Sequence, residues 1–426
     1  MTKIAVIGTG YVGLTTGACF AHMGHEVVCA DIDPVKVESL RNGVIPIVEL
    51  GLQELVEEGI AGGRLSFVLG AAVAAADCEI AFLCVPTPQG DDGSADLSYI
   101  EAAARQIGPV LPYEAVVVNK STVPVGSAKV VERVLGRPDV KVVSNPEFLR
   151  EGSAVQDFLK PDRVVVGCDD QAAALRVSSL YDGISAPVIV TDPASAETIK
   201  YAANAFLATK LSFINAIAAI CEGVGADVND VVVGMGSDKR IGQDFLRPGP
   251  GWGGSCFPKD SRALLKIARE AGYHFDLLAG VIAVNEEQFD RVTDKIRIAA
   301  GGDLSRATIA VWGLTFKART DDLRDSPSLA IIKRLTAAGA AVQAYDPTVH
   351  GPKAGLPSDI SLADSAYAAC NGADVLTVLT EWDEFRWLDI DQVKAAMTGR
   401  AIVDARNLLD RNDWRRGTFD YQGIGR

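Results

Sequence analysis

The sequence predicts an α/β protein with two Rossmann-like, doubly wound domains joined by a long central helix. A buried strand, a Gly-x-Gly-x-x-Gly turn and an apolar helix follow one another over residues 3–23. A similar but degenerate pattern begins at Arg306, and residues 195–222 between the two have apolar side chains at helical spacing. The expected regions are a first Rossmann domain at 1–194, a central helical region at 195–302 and a second Rossmann-like domain at 303–426.

Composition and charge exclude several classes of protein. Of the 426 residues, 48% are hydrophobic and 23% charged, which is typical of globular proteins with well-formed cores. The net charge of −14 disfavours nucleic acid and anionic membranes as partners. No uninterrupted apolar run reaches the ~18 residues of a membrane span, and no signal peptide precedes the first strand, so we expect a cytoplasmic protein. The eight cysteines form no Cys-x-x-Cys pair and the four histidines lack metal-ligand spacing, which predicts reduced thiols and no metal site.

The first domain has the features of a dinucleotide site. Gly8, Gly10 and Gly13 form the fingerprint between a strand and a helix, where glycines permit the tight turn and the close approach of a pyrophosphate. The next strand, at 26–30, ends at Asp31, an acid that can accept both ribose hydroxyls of NAD and would repel the 2′-phosphate of NADP. We predict that NAD is the cofactor; the alternative is a Rossmann-like domain without a nucleotide.

Further strands are predicted near 66–69, 79–85, 115–119, 140–144, 163–167 and 187–190. Because the carboxyl ends of the strands line the ligand crevice of such a sheet, Thr87, Ser121 and Thr122 are placed for cofactor or substrate contact. Glu147 and Glu151 follow the strand at 140–144. They are suited either to acid–base chemistry or to a solvated helix start, and the pattern leaves both open.

The predicted helix at 195–222 would be roughly 42 Å long, and its apolar face is too long for one domain to cover. It therefore predicts at least a homodimer. Lys200 and Asn204 lie one turn apart beside this face. Lys200 is interpreted either as a partly desolvated functional lysine or as an ordinary solvated one.

A glycine-rich segment at 248–260 precedes another predicted helix and contains Cys256, Lys259 and Asp260. Its glycines allow positive φ angles or close approach to a ligand, and Pro258 suits the first helical position. Cys256 is then expected at a helix N-terminus, where the positive end of the helix dipole favours a reactive thiolate. An inert buried cysteine is the competing interpretation.

The last third of the chain repeats the strand pattern of the first but keeps one glycine of the fingerprint. Phe316, Lys317, Arg319 and Arg324 follow its first strand. This arrangement predicts a Rossmann-like domain that binds an anionic ligand other than the dinucleotide.

Together these motifs resemble the UDP-glucose/GDP-mannose dehydrogenase family over essentially the whole chain. The most specific segments are Gly-Trp-Gly-Gly-Ser-Cys-Phe-Pro-Lys-Asp at 251–260, Asn-Pro-Glu-Phe-Leu-Arg-Glu-Gly at 145–152, Lys-Tyr-x-x-Asn at 200–204 and Lys-Arg-Ile-Gly at 239–242. One departure is Ala405, where the family commonly has glycine; it leaves Arg406 in place but changes the residue before it in the loop.

The resemblance implies a four-electron oxidation of a nucleotide sugar at C6, with two hydride transfers to NAD⁺ and a covalent intermediate on Cys256. It implies that Lys200 and Asn204 stabilise oxyanions, that Asp260 with Thr122 and a water handles protons, and that Glu147 assists thioester hydrolysis. The implied cofactor contacts are Gly8, Gly10, Tyr11, Val12, Gly13, Asp31, Lys36, Val85, Pro86, Thr87, Ser121, Thr122, Glu151, Lys259 and Arg324. The implied substrate contacts are Glu147, Phe148, Leu149, Arg150, Glu151, Lys200, Asn204, Arg240 (in a neighbouring subunit), Phe245, Gly251, Trp252, Gly253, Phe316, Lys317 and Arg406.

Within this family, the sequences Glu-Phe-Leu-Arg-Glu-Gly at 147–152 and Gly-Trp-Gly-Gly at 251–254 favour UDP-glucose as the substrate. The same chemistry on dTDP-glucose, GDP-mannose or a UDP-N-acetylhexosamine is the alternative. A catalytically silent NAD-binding scaffold is a remoter one, which the presence of Cys256, Lys200 and Asp260 disfavours.

Overall fold

The structure is a computed structural model that describes residues 1–90 and 95–426. These residues form two compact units. The first unit comprises Met1–Ala203 and Arg262–Ala271, and the second comprises Asn204–Ser261 and Gly272–Arg426. Two helices, α9 (Pro193–Val224) and α11 (Phe257–Glu270), contribute residues to both units.

The first unit is built on a sheet with the strand order β3-β2-β1-β4-β5-β6-β7-β8 in its described part. All neighbouring strands are parallel except β6 and β7, which meet in an antiparallel pair. This confirms the doubly wound sheet. The strands are β1 (Lys3–Ile7), β2 (Glu26–Asp31), β3 (Leu65–Leu69), β4 (Ile80–Leu83), β5 (Val116–Asn119), β6 (Lys141–Ser144), β7 (Val164–Gly167) and β8 (Val188–Thr191).

Helices cover both faces of this sheet, so its inner strands are almost wholly apolar and buried on both sides. The helices of the first unit, besides parts of α9 and α11, are α1 (Tyr11–His22), α2 (Pro34–Arg41), α3 (Leu52–Ala61), α4 (Ala71–Ala75), α5 (Ser98–Ile107), α6 (Ser127–Leu135), α7 (Ala154–Leu159) and α8 (Gln171–Ser179). Helix α1 is buried from Gly13 to Ala21, as a helix between a sheet and a further helix layer must be.

The second unit has a parallel sheet of order β11-β10-β9-β12-β13-β14. Its strands are β9 (Thr308–Trp312), β10 (Ala341–Tyr345), β11 (Ile360–Leu362), β12 (Val375–Val378), β13 (Ala401–Asp404) and β14 (Asp420–Gln422). Its helices, besides parts of α9 and α11, are α10 (Val228–Gly236), α12 (Asp276–Ala299), α13 (Pro327–Ala337), α14 (Ala366–Ala369), α15 (Ile390–Ala396) and α16 (Arg411–Arg416), with a 3₁₀ turn at Asp383–Trp387. The predicted second Rossmann-like sheet is confirmed.

Helix α9 has 32 residues, so the predicted long central helix is confirmed. By length and composition alone it could cross a membrane. It nevertheless carries buried polar side chains that bond within the protein, which is how a core helix behaves. These are Glu197, Lys200, Asn204, Ser212 and Asn215.

Candidate functional site

The turn between β1 and α1 is shaped by its three glycines. Gly8 has φ +98°, and a Cβ there would lie 2.7 Å from the carbonyl oxygen of Cys84. A Cβ on Gly13 would lie 1.9 Å from the carbonyl oxygen of Gly8, so the helix can approach the strand this closely only with glycine. At Gly10, by contrast, no described heavy atom lies within 4 Å of a Cβ position. The turn therefore leaves an open cradle at the N-terminus of α1, which fits the pyrophosphate of NAD.

Asp31 at the end of β2 is held by donors from its surroundings. Its Oδ2 accepts hydrogen bonds from the Thr9 backbone N–H at 3.0 Å and from Lys36 Nζ at 2.9 Å. Burial raises the pKa of this carboxyl, but the hydrogen bonds from Thr9 and Lys36 outweigh burial and lower the pKa to about 2. Asp31 is therefore an ionised acceptor at neutral pH, as a ribose-binding acid must be.

The segments that follow β4 and β5 are bonded to each other. Ser121 Oγ donates to the Val85 carbonyl at 2.7 Å, and Thr87 Oγ1 donates to the Thr122 carbonyl at 2.9 Å. The structure thus brings together Val85, Thr87, Ser121 and Thr122 at the carboxyl edge of the first sheet, as expected for strand ends of this fold.

Glu147 and Lys200, predicted separately, form a buried ion pair. Lys200 Nζ donates to Glu147 Oε1 at 2.9 Å and to the Glu147 carbonyl at 2.7 Å, and both residues are at most 5% exposed. Burial raises the pKa of Glu147, but the attraction and hydrogen bond of Lys200 outweigh it and lower the pKa overall. The interpretations of Lys200 as a solvated lysine and of Glu147 as part of a solvated helix start are therefore wrong.

The neighbouring Phe148 has two cations near its ring. The Arg163 guanidinium is 3.6 Å from its ring centroid and Lys200 Nζ is 5.4 Å away. Burial lowers the pKa of Arg163. Arg150 forms an ion pair with Asp157 at 2.6 Å. Sequence reasoning missed Arg163, which stands a single residue before β7 and has no distinctive pattern around it.

A second buried lysine, Lys120, was also missed, although it directly follows the apolar strand β5. Its Nζ donates to Asn145 Oδ1 at 3.0 Å and to Tyr181 Oη at 3.1 Å. None of the ion pairs between described residues involves it. Burial lowers the pKa of Lys120 to about 8 from the ordinary value of 10.5. Through its bond to Asn145, the Lys120 ammonium links the residues that follow β5, including Thr122, to the residues that follow β6, including Glu147.

Lys120 makes the stability of the protein pH-dependent. Because its folded pKa is below its unfolded pKa, the unfolded state binds more protons between pH 8 and 10.5. The free energy of unfolding of the wild type is expected to rise over this window, relative to Lys120→Met, by about 1.4 kcal/mol per pH unit. Urea unfolding from pH 7 to 10.5 measures this, with the exposed Lys129→Met as the matched control. Parallel pH profiles for wild type and Lys120→Met would contradict a buried ammonium at this position.

In the second unit, Cys256 stands immediately before α11. Its carbonyl accepts the Asp260 N–H at 2.8 Å, the first bond of the helix. The predicted helix start is confirmed, although Phe257 and not Pro258 is the first helical residue. Asp260 is 1% exposed and accepts from Asn204 Nδ2 at 2.6 Å and from Lys259 Nζ at 2.8 Å. The carboxylate of Asp260 is thus held by two of the predicted site residues.

The glycines before Cys256 are required by close packing and backbone conformation. Gly251 and Gly254 have φ +119° and +84°. A Cβ on Gly253 would lie 1.9 Å from the Asp325 carbonyl oxygen, and one on Gly254 would lie 2.8 Å from the ring of Phe316. The predicted substrate residue Phe316 therefore lies directly against the cysteine loop.

Trp252 and Phe245 anchor this loop from inside. Trp252 is 6% exposed, and its ring N–H donates to Ser212 Oγ at 2.8 Å. Phe245 has φ +62°, unusual for a non-glycine residue, and its ring centroid is 6.1 Å from that of Phe257. Both side chains hold the backbone around Cys256.

At the carboxyl edge of the second sheet, Arg406 is held by two carbonyl acceptors and by an ion pair. It donates to the carbonyls of Phe316 at 3.0 Å and Leu379 at 2.8 Å, and it pairs with Glu381 at 3.0 Å. The positive φ of this loop falls on Asn407 (φ +50°), so the alanine that stands before Arg406 is accommodated. Lys317 Nζ lies 5.4 Å from the Phe316 ring centroid, and Arg324 pairs with Asp322 at 2.6 Å.

Asp346 directly follows β10, whereas Asp31 is the last residue of β2, and the two acids have different surroundings. It is 1% exposed, and its Oδ2 accepts the Thr315 N–H at 3.1 Å and the Trp382 ring N–H at 3.1 Å. The indole N–H therefore takes up one acceptor position of this carboxylate. The two acids thus differ in their donors, a lysine at Asp31 and an indole at Asp346.

Arg240 remains apart from these groups. Its side chain is 89% exposed and pairs with Asp238 at 2.5 Å in the segment after α10. Contact of Arg240 with a substrate in another subunit stays a prediction.

The two sheets, of which the first has a dinucleotide cradle, define a class of Rossmann-type dinucleotide-binding proteins. Three models of the UDP-glucose/GDP-mannose dehydrogenase family match the chain. The NAD binding domain matches residues 2–185, the central domain residues 194–287 and the UDP binding domain residues 310–411. The chain belongs to this family.

Named relatives are similar over the full chain. UDP-glucose 6-dehydrogenase TuaD of Bacillus subtilis is 48% identical, covering 100% of this chain and 94% of that protein. UDP-glucose 6-dehydrogenase of Rhizobium meliloti is 46% identical, covering 100% and 99%. The solved UDP-glucose dehydrogenase of Pyrobaculum islandicum superimposes with a TM-score of 0.92 at 37% identity, covering 100% and 98% of the chains. The UDP-D-ManNAc dehydrogenase of Pyrococcus horikoshii has a TM-score of 0.88 at 28% identity, covering 99% of each.

Proposed function

We propose that this protein oxidises UDP-glucose to UDP-glucuronate, consuming two NAD⁺ and one water and releasing two NADH and protons. The observation that carries this proposal is the 48% and 46% identity, over the whole chain, to UDP-glucose 6-dehydrogenases. The open cradle at Gly10 and the ionised Asp31 support NAD as the cofactor.

When bound, NAD⁺ supplies the hydride acceptor. A first hydride and a proton leave the C6 alcohol and give the aldehyde. The Cys256 thiolate adds to that aldehyde and gives a thiohemiacetal, which loses a second hydride and a proton and becomes a thioester; water then releases the uronate and the thiol. Lys200 and Asn204 donate to the oxyanions, and Asp260 with Thr122 and a water takes up and returns protons. Glu147, held as a carboxylate by Lys200 at 2.9 Å, assists hydrolysis of the thioester.

The test is a panel of nucleotide sugars with NADH absorbance as the readout. UDP-glucose is expected to give two NADH per sugar, with much weaker signals from dTDP-glucose, GDP-mannose and UDP-N-acetylmannosamine. The last of these is included because the Pyrococcus horikoshii UDP-D-ManNAc dehydrogenase shares this fold. A preference for another sugar would reassign the substrate. No turnover with any sugar would favour an NAD-binding scaffold.

We infer that the protein is a cytoplasmic homodimer and that the region 195–302 forms the interface. Three large apolar side chains, seven residues apart on α9, are exposed in the single chain: Phe206 (65%), Phe213 (48%) and Ile220 (58%). Residues seven apart lie on one helix face, so these three apolar side chains are exposed on the same side of α9.

Phe213→Glu is expected to shift the protein from dimer to monomer in light scattering at micromolar concentration. The matched control is Leu175→Glu, which places the same charge at an exposed apolar position of α8 (61% exposed).

If Arg240 reaches a partner's substrate, then inactive Arg240→Ala and Cys256→Ala proteins regain activity when mixed. A monomeric wild type contradicts the dimer.

A further inference from the structure

Glu49 is a buried carboxylate of the first unit that no sequence motif indicated. It precedes α3 and is 6% exposed. Its Oε2 accepts the Gly152 N–H at 2.6 Å, and its Oε1 accepts the Ala154 N–H at 2.8 Å. These two amides belong to the segment that follows Glu147 and begins α7, so Glu49 fixes the end of that loop.

The same carboxylate also reaches the cofactor cradle. Tyr11 is the first residue of α1, directly after Gly10, and its hydroxyl donates to Glu49 Oε2. The Tyr11 hydroxyl also lies 3.0 Å from the Arg150 carbonyl oxygen. Burial raises the pKa of Tyr11, so its hydroxyl stays a donor. One carboxylate therefore joins the start of α1 to the loop that contains Glu147 and Arg150.

The chemistry of these contacts requires a carboxylate. All three partners of Glu49 are donors, and an ionised carboxylate is an acceptor on both oxygens. A glutamine of the same shape would turn an NH₂ group towards one of the two amides, which leaves two buried donors facing each other. The backbone is adapted to the contact as well, since Gly51 (φ +79°) and Gly152 (φ +81°) both have left-handed conformations.

We propose that Glu49 is a positioning residue that couples the cofactor cradle to the substrate loop at 147–152. Binding of the dinucleotide beside Tyr11 then stabilises the loop, and loop order in turn favours the dinucleotide, as coupling between two sites must be reciprocal. The inference rests on the proposed function for the identity of the second ligand, but the link between Tyr11, Glu49 and the loop does not.

The experiment compares Glu49→Gln with Glu54→Gln, an exposed glutamate of α3. Hydrogen exchange of the peptide that contains residues 152–154 is measured with and without NADH. In the wild type and in Glu54→Gln, NADH is expected to slow this exchange. In Glu49→Gln, exchange is expected to be about tenfold faster and insensitive to NADH, and the Kd of NADH, from its fluorescence, about tenfold higher.

Tyr11→Phe separates coupling from simple structural support. If Glu49 acts through Tyr11, the double variant Tyr11→Phe/Glu49→Gln raises the Kd of NADH no further than Glu49→Gln alone. If the two residues act independently, their separate fold-increases in Kd multiply in the double variant. Wild-type-like exchange, NADH response and Kd in Glu49→Gln would overturn the proposal, as would multiplying effects. A wild type that binds NADH but does not oxidise UDP-glucose would refute the proposed substrate and leave this test intact.

Discussion

Replacement of Cys256 by alanine is expected to lower uronate formation by at least about a thousandfold, equivalent to about 4 kcal/mol of activation free energy. In the second oxidation the aldehyde carbon must first become tetrahedral, so that its hydrogen can leave as a hydride. Addition of the Cys256 thiolate to the aldehyde forms that tetrahedral carbon. NADH binding is expected to remain unchanged, because the cradle at Gly8–Gly13 belongs to the first unit. Some first-step NADH formation is expected to survive.

The matched control is Cys168→Ala, since Cys168 and Cys256 are the two partly exposed cysteines among the described residues and the other six are buried. Burial raises the pKa of Cys168, so alkylating reagents are expected to modify Cys256 first, and UDP-glucose is expected to protect it. In a slowed variant such as Glu147→Gln, mass spectrometry is expected to find a sugar adduct on the Cys256 peptide. A Cys256→Ala protein that forms two NADH and one uronate per sugar at the wild-type rate refutes the covalent mechanism.

The second large effect concerns the cofactor. We expect kcat/KM to be at least about a hundredfold higher with NAD⁺ than with NADP⁺. A 2′-phosphate placed about 4 Å from an ionised Asp31 would meet a repulsion of about 4 kcal/mol at the effective dielectric of a protein surface. Lys36, 2.9 Å from the same carboxylate, offsets part of this. The net effect is therefore smaller than the bare repulsion.

Asp31→Asn removes the charge and leaves Lys36 as the nearest ion, so the preference for NAD⁺ is expected to shrink to about tenfold or less. Glu38→Gln, at an exposed position of α2, is the control and is expected to keep the wild-type ratio. Equal kcat/KM values for the two cofactors in the wild type would refute the role assigned to Asp31.

The local features of this protein follow from its sequence because each depends on short-range rules. The Gly-x-Gly-x-x-Gly turn, the acid at the end of β2 and the helix start after Cys256 were all predicted, since strand, turn and helix signals stand next to one another. The apolar repeat at 195–222 likewise predicted α9, which extends two residues further at each end.

Which side chains meet was decided only by the tertiary structure. Glu147 and Lys200 are separated by 53 residues and form a buried ion pair, and Glu49 reaches amides 103 and 105 residues away. Asp346 repeats the position of Asp31 in the sequence pattern, yet it accepts from the Trp382 ring N–H where Asp31 accepts from Lys36, so similar patterns lead to different contacts. The sequence by itself determined the elements and the chemical groups available; the packing of strand ends determined which of those groups are paired, buried and ionised, because burial and hydrogen bonding depend on residues distant in the chain.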